Sequence, residues 1–459
     1  MLRRSSVTAS GALAVFVALG VALSAGACGG GKPKLKYPAA GADGGAVVSG
    51  GTVSNTQGQT VGVTAGEDAE LTGAAKDAYD RGFQAWMSGD LPSAKAAFMD
   101  AASRAPSAGG PRYSLGCVLE RLGDTQGALD AYRASFTANP KYELAMGAYA
   151  ALQARSGHGS DAEQFLNGKG ASDSVRLMTY LAEVKSIEGD SPGCQQTAQQ
   201  ALTKQPDYKE AMVVIARDYY RSHRWELAKY ALQAILDGSD DGSIPPRDKG
   251  NAEALLLRAL IERAQGDRKA AIADFDQASR KRPDLFEAYV NLGEMKLQAG
   301  NAGEAQAPLE KAVRYAPNVP VAHLDLGDCY RLLGRPGDAK TELEKARGLD
   351  STLAGVHYDL GLLYLFSPNV PGTSGQDDQL SKAIQELQTF KSMRNAKVKG
   401  PGDDVDELLS TAKRKQSELQ MKKQAAAAAA AASAASAPPT AGSAAPPASS
   451  GGSIVRDMP

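Results

Sequence analysis

Histidine is the side chain of this sequence best suited to metal binding and proton transfer, and the chain has four. His323 and His357 lie 34 residues apart. No set of cysteines or carboxylates accompanies them at the spacing of metal ligands. The equal interval is typical of packing positions in a repeated unit, with a metal shared by the pair as the alternative. We predict no metal site and no cofactor.

Motifs of catalysis and nucleic-acid binding are missing from the sequence. It has no phosphate-binding glycine loop, no zinc-protease helix and no serine nucleophile elbow. Its 51 basic and 52 acidic residues leave no basic field for nucleic acid. We therefore predict that the chain is not an enzyme and does not bind nucleic acid; an enzyme of unrecognised type is the alternative.

Three of the four cysteines, Cys117, Cys194 and Cys329, are far apart in the sequence. An odd number of separated cysteines argues against a disulfide framework even in an oxidising compartment. We interpret all three as small packing residues.

The first 27 residues have the pattern of a signal peptide. Two arginines at positions 3 and 4 precede an apolar run of small residues over 11–23. This run is too short and too poor in bulky residues to predict a membrane span. The sequence thus predicts export from the cytoplasm.

The fourth cysteine, Cys28, ends this pattern. The Ala-Gly-Ala of residues 25–27 before it resembles a bacterial lipobox, although alanine stands at position 25 where leucine is usual. The resemblance implies cleavage after residue 27 and lipidation of Cys28. Because Gly29 replaces the aspartate of inner-membrane retention, it also implies an outer-membrane anchor facing the periplasm. Ordinary secretion is the alternative.

Two segments have compositions that cannot build a packed core. Residues 28–70 are rich in glycine, alanine and serine and predict a flexible tether. Residues 425–459 are rich in alanine and proline and predict a disordered tail. Between them, apolar residues recur at helical spacing.

A 34-residue unit, clearest in Phe286–Pro317, repeats through the middle of the chain. Each unit is predicted to form two amphipathic helices that are joined at a glycine, and a proline marks the end of the second helix. Such a hairpin cannot bury its apolar stripes alone, so repeated hairpins stack into a solenoid. The turn glycines are Gly89, Gly123, Gly157, Gly189, Gly266, Gly300 and Gly334.

The Leu-Gly pairs at 115–116, 292–293, 326–327 and 360–361, the later alanine and the closing proline resemble tetratricopeptide repeats. We count about nine units within 71–398. The resemblance implies an all-α fold, a right-handed superhelix of helical hairpins whose first helices line a concave groove. Residues 401–424 predict a further helix that caps the end of the array, with partner binding as the alternative. Polar insertions at 238–249 and 367–379 interrupt the period and are either tolerated surface loops or docking loops.

The groove implied by this resemblance would be lined by aromatic and aliphatic residues. Such side chains suit a peptide or helix segment of another protein, although they could equally pack between helices. The family's lysine-asparagine clamp for a carboxylate terminus is absent, since its slots hold Glu287, Asn291, Glu294, Asp325 and Asp328. The predicted groove residues are Tyr79, Phe83, Trp86, Tyr113, Tyr180, Tyr220, Leu256, Leu260, Tyr358 and Leu362.

A narrower resemblance concerns function. The lipobox, the long array and residues 380–394 resemble the tetratricopeptide lipoproteins of the myxobacterial adventurous gliding-motility (Agl-Glt) machinery. The resemblance implies a non-enzymatic periplasmic scaffold, lipid-anchored in the outer membrane, that binds other envelope proteins of a motility complex. The alternatives are a lipoprotein that assists assembly of outer-membrane or pilus proteins and a regulatory subunit of a cell-wall enzyme.

Overall fold

A computed structural model describes residues 71–239, 242, 245–393 and 404–435. The predicted signal peptide, Cys28, the tether and most of the tail lie outside these residues. All regular structure in the described ranges is helical. The helices are α1 (Gly73–Ser88), α2 (Leu91–Arg104), α3 (Gly110–Arg121), α4 (Thr125–Ala138), α5 (Glu143–Arg155), α6 (Gly159–Gly168), α7 (Val175–Glu188), α8 (Ser191–Lys204), α9 (Lys209–Arg221), α10 (Trp225–Leu236), α11 (Ala252–Gln265), α12 (Arg268–Lys281), α13 (Phe286–Gln298), α14 (Ala302–Tyr315), α15 (Pro320–Leu332), α16 (Pro336–Leu349), α17 (Ala354–Phe366), α18 (Gln376–Met393) and α19 (Val405–Ala435).

The turn inside each of the first eight hairpins contains a residue with positive φ, and in four of these hairpins an aspartate after it caps the second helix. Gly89 ends α1 with a φ of 78°, which glycine adopts at no steric cost. The next residue, Asp90, accepts a hydrogen bond at 3.1 Å from the backbone N–H of Ser93 and so caps α2. His223 occupies the glycine slot of the fifth hairpin and has a φ of 58°. The turn geometry is therefore kept even where the glycine is lost.

Small residues let the two helices of a hairpin touch. A Cβ added to Gly293 would lie 2.4 Å from Cγ of Leu309, and one added to Gly327 would lie 2.7 Å from Cγ of Leu343. The facing residues Leu309 and Leu343 are fully buried. The predicted all-α solenoid of helical hairpins is confirmed: α1 to α18 form nine consecutive hairpins.

The first helices of the hairpins lie on the inner side of the curve. Besides contacting their own partners, the odd-numbered helices contact one another directly, in the pairs α5–α7, α7–α9, α9–α11, α13–α15 and α15–α17. The second helices lie outside them. This arrangement places one helix from each hairpin along a continuous inner face.

The last helix, α19, packs against the end of the array through Val405, Leu408, Leu409 and Ala412, which belong to the same buried cluster as Phe390. The helix continues to Ala435, past the predicted boundary at residue 424. Its alanine run is exposed. Alanine has the highest helix propensity, so the run continues the helix without tertiary contacts.

The second insertion, residues 367–379, is folded onto its neighbours. Gln379 donates hydrogen bonds to the carbonyl oxygens of Tyr364 at 2.9 Å and Ser367 at 2.6 Å. Val370 is buried. Together with α19 the loop borders a cleft of about 790 Å³.

The contact between Gly293 and Leu309 predicts a cost for enlarging the glycine. Gly293→Ala should lower the free energy of unfolding by about 1–3 kcal/mol, because Leu309 must leave its place to admit the methyl group. Gly303→Ala is the matched control, since nothing lies within 4 Å of its added Cβ; it should be neutral or slightly stabilising. Chemical denaturation followed by circular dichroism measures both, and equal stability of the two variants would contradict the packing role.

Candidate partner-binding groove

The ten predicted groove residues divide into two groups by burial. Six are buried, and their surfaces are used in packing within the array: Tyr79, Trp86, Tyr113, Tyr180, Leu260 and Tyr358. Four are half-buried and keep surface for a ligand: Phe83, Tyr220, Leu256 and Leu362. The groove as a binding site stays a prediction, and the half-buried group is the part of it that a partner can reach without rearrangement.

Two of the buried tyrosines show what this packing involves. The hydroxyl of Tyr79 lies 3.2 Å from Oγ of Ser114 on the next inner helix. Tyr358 donates a hydrogen bond to Asp404 at 2.9 Å, just before α19, and its ring centroid is 5.1 Å from that of Phe390. Each tyrosine therefore joins one element of the array to the next.

The array also contacts itself over a long sequence distance. Tyr315, at the end of α14, donates a hydrogen bond at 2.8 Å to the carbonyl oxygen of Met87 in α1. A Cβ added to Gly89 in the first turn would lie 2.5 Å from Cγ of Arg314. The seventh hairpin thus lies directly against the first.

Arg121 of the second hairpin completes this contact. Its guanidinium carbon is 4.8 Å from the ring centroid of Phe286, at the start of α13, and 5.9 Å from that of Trp86. Cations over aromatic faces attract by cation–π interaction. Trp86, predicted as a groove anchor, therefore lies beside a closure contact formed by Tyr315, Met87, Arg121 and Phe286. The first seven hairpins make one closed turn.

Charged side chains link successive inner helices in the middle of the array. Arg217 of α9 donates to Glu183 of α7 at 2.9 Å and to Glu253 of α11 at 2.8 Å. Arg221 also donates to Glu183, at 2.8 Å, and Arg282 donates to Glu253 at 2.9 Å. We call these five residues the ion-pair ladder. The sequence interpretation missed it, although Glu183 and Arg217 are 34 residues apart and so occupy one repeat slot.

The two carboxylates of the ladder differ: burial raises the pKa of Glu253 despite its arginine partners, whereas the ionised form of Glu183 is stabilised. Burial raises its pKa, but Arg217 and Arg221 together outweigh burial and lower the pKa to about 2. The ladder therefore holds Glu183 ionised at every physiological pH. Removing one partner of such a buried pair is costly because it leaves the other charge uncompensated.

Toward the C-terminal end the inner face becomes acidic. The carboxylates are Glu294 on α13, Asp325 and Asp328 on α15, and Asp359 on α17; we call them the acidic pocket. Asp325 and Asp328 occupy two of the slots where the family clamp would need basic or amide groups. This charge disfavours a carboxylate terminus as ligand.

Two carboxylates of the pocket are matched by arginines. Glu294 accepts a hydrogen bond from Arg263 at 2.8 Å, and Asp328 accepts one from Arg331 at 2.9 Å. Burial nevertheless raises the pKa of Glu294 to about 7. Burial, followed by the charges of the other three carboxylates, raises the pKa of Asp325 well above its usual range. Glu294 and Asp325 therefore hold their protons to a higher pH than exposed carboxyls do, because burial and the neighbouring carboxyls disfavour the ionised forms.

The two repeat-related histidines are packing residues in equivalent places. Nδ1 of His323 lies 2.6 Å from Glu342, and Nδ1 of His357 lies 2.6 Å from Glu386. Across the described ranges, no three histidine, cysteine or acidic residues are placed to hold a metal ion. None of the helices described is both long and apolar enough to cross a membrane.

The closure contact predicts a change of shape on its removal. Arg121→Ala should lower the free energy of unfolding by about 0.5–2 kcal/mol and increase the radius of gyration, because it loses a cation–π contact with the distant seventh hairpin and one with the neighbouring first hairpin. Arg133→Ala is the matched control: its guanidinium lies 5.5 Å from the ring of Tyr149, within neighbouring hairpins. Small-angle X-ray scattering should show expansion only for Arg121→Ala. An unchanged scattering profile would mean that the turn stays closed without this arginine.

The ion-pair ladder predicts a specific loss of stability in acid. A carboxyl whose folded pKa lies below its unfolded value of 4.5 stabilises the fold above pH 4.5, and this stabilisation is lost as pH falls toward 2. Glu183→Gln should therefore be less stable than the wild type at pH 7, by up to about 3 kcal/mol, and the difference should shrink in acid. Glu163→Gln, at a partly exposed pair with Lys185, should cost under about 1 kcal/mol. Urea titrations at several pH values test this, and a pH-independent difference would contradict the pairing.

Comparisons with known proteins agree with the repeated architecture. Tetratricopeptide repeat models match residues 79–143, 213–286 and 256–320, and a further one matches 296–352. A comparison with curated proteins gives no match. Similar solved structures include a tetratricopeptide repeat protein from Parabacteroides merdae (16% identity, 63% of this chain and 98% of that chain, TM-score 0.30). They also include PilF of Pseudomonas aeruginosa, with 17% identity over 49% of this chain and 90% of that chain and a TM-score of 0.39. MamA has 19% identity over 39% of this chain and 93% of that chain and a TM-score of 0.31. The hairpins of residues 79–143 and 213–352 are tetratricopeptide repeats.

Proposed function

We propose that this chain is a non-enzymatic scaffold, anchored to the outer membrane by a lipid on Cys28, that holds other envelope proteins in a gliding-motility complex. The observation that carries the scaffold role is the continuous inner face of nine hairpins. Half-buried apolar residues on this face lie among charged ones. Such a face offers anchors and specificity to a protein segment.

The arrangement of the apolar residues supports a partner that follows the inner face. Tyr220 on α9, Leu256 on α11 and Leu362 on α17 are each half-buried, and they are spread over several hairpins. A segment that contacted all of them would have to be extended or helical over a comparable length. The closed turn favours a partner segment that enters along the groove.

The anchor and the cellular role are supported by sequence resemblance. Cys28 follows the small residues typical of a lipobox, and residues 380–394 resemble the motility lipoproteins. A tether of about 40 residues behaving as a glycine-rich coil would span on the order of 35 Å. That span would let the array stand away from the membrane surface.

Membrane fractionation tests the anchor. Cys28→Ser should move the protein from the membrane pellet to the soluble periplasmic fraction, because the acyl attachment point is lost. Cys117→Ser is the matched control, since this cysteine is a half-buried residue of the array; it should stay with the membrane. Retention of the Cys28→Ser protein in the membrane pellet would contradict the proposal that Cys28 carries a lipid.

Affinity capture of crosslinked complexes from the native cell tests the scaffold role. Leu256→Ser and Leu362→Ser together should reduce recovery of partners by about tenfold, because both lie half-buried on inner helices. Leu227→Ser is the control, because Leu227 is 47% exposed on the outer helix α10. Recovery of motility proteins supports the proposal. Recovery of barrel or pilus subunits would favour a lipoprotein that assists assembly, and recovery of peptidoglycan enzymes would favour a regulatory subunit. Capture that is unaffected by the groove substitutions would contradict the groove as the binding site.

A further inference from the structure

The acidic pocket gathers four carboxylates on three successive inner helices. Asp325 and Asp359 stand one repeat apart in the same slot, and so do Glu294 and Asp328. Arg263 and Arg331 each pair with one carboxylate. Within the described residues, Asp325 and Asp359 are left without an ion pair of their own. The pocket is short of positive charge.

An independent observation shows that it is also short of hydrogen-bond donors. Asp325 is only 7% exposed, and its Oδ2 has no hydrogen-bond partner. Asn291, one repeat earlier in the same slot, is fully buried, and its Oδ1 likewise has no partner. Buried acceptors are nearly always satisfied, so two unsatisfied ones in adjacent equivalent slots call for a donor from outside. Asp325 lies within the electrostatic influence of Glu294, Asp328 and Asp359.

We propose that the acidic pocket binds the cationic side chain of a partner protein, an arginine or a lysine, projecting from a segment in the groove. This inference rests on the proposed scaffold function and specifies the chemistry of its ligand. A guanidinium brings one positive charge and five N–H donors, which matches a site with two unpaired carboxylates and unsatisfied oxygens. No trio of ligating residues in the described ranges is arranged for a metal ion, so a side-chain cation fits this site better.

In the unbound protein, the acidic pocket lowers the free energy of unfolding. Buried carboxyls with raised pKa values destabilise the fold at neutral pH, because the unfolded chain ionises them freely, and a bound cation would offset that cost. Asp325→Asn keeps the shape of the side chain and removes its ability to ionise. The variant should therefore melt at a higher temperature than the wild type and bind a cationic segment more weakly.

Fluorescence anisotropy on the purified full chain tests the proposal. The probe is a fluorescein-labelled peptide with three arginines separated by serine and glycine; the control peptide carries citrulline, a neutral isostere, at the same positions. The arginine peptide should bind the wild type at least about tenfold more tightly than the citrulline peptide. Asp325→Asn with Asp359→Asn should remove that preference. Asp130→Asn with Asp161→Asn makes the same two substitutions at exposed positions on the outer helices α4 and α6 and should keep the preference.

Equal binding of the two peptides by the wild type would overturn the proposal. Loss of the arginine preference in both double variants would also overturn it, because the loss would then not depend on the pocket. If Asp325→Asn proves less stable than the wild type, Glu294→Gln serves as the second variant and should again weaken arginine binding at least about tenfold. Unchanged binding there would also overturn the site. The assay needs no lipid and no cellular partner, so its failure is distinguishable from a failed capture experiment. Specific arginine binding without cellular capture would sustain the pocket and count against the scaffold role.

Discussion

Close contact between the two helices of a hairpin is the constraint on which the rest of the structure depends. Gly293 leaves no room for a Cβ against Leu309, and Gly116 leaves none against Tyr132. Because these contacts set how closely the two helices of a hairpin approach, they also affect how each hairpin stacks on the next. The curvature of the array is the accumulated result of these small contacts. One enlarged glycine would disturb stacking on both sides.

The accumulated curvature brings the seventh hairpin back to the first. The hydrogen bond from Tyr315 to Met87 and the position of Arg121 over Phe286 are contacts that no single hairpin contains. They give an otherwise one-dimensional array a few contacts of very long sequence separation. Arrays without such contacts can open at their ends independently of the middle, whereas a closed turn couples its first and seventh units. The contact between the first and seventh hairpins also restricts how a partner segment can reach the inner face.

The inner face combines two electrostatic regimes in the same structural slots. In the ion-pair ladder, arginines bridge carboxylates from one helix to the next, and the pKa of Glu183 is lowered to about 2. In the acidic pocket, burial dominates, and the pKa of Glu294 is raised to about 7. The ladder can stiffen the middle of the array, while the acceptors of Asp325 and Asn291 at the pocket stay unsatisfied. Two regions with the same backbone architecture can therefore serve different purposes, one in stability and the other in recognition.

The sequence alone determined the repeat unit, because its signals are local. Glycines such as Gly89 mark the left-handed turns, aspartates such as Asp90 cap the following helices, and the apolar period defines the buried stripes. The sequence could not separate groove from core, since an aromatic residue on an inner helix suits both. Only the tertiary structure placed Tyr79 and Tyr358 between elements and left Tyr220 partly exposed. It also decided the closed turn and the pairing of Glu183 with Arg217. These features depend on how several hairpins stack in space, and the small rotation at each interface is not encoded in any one unit.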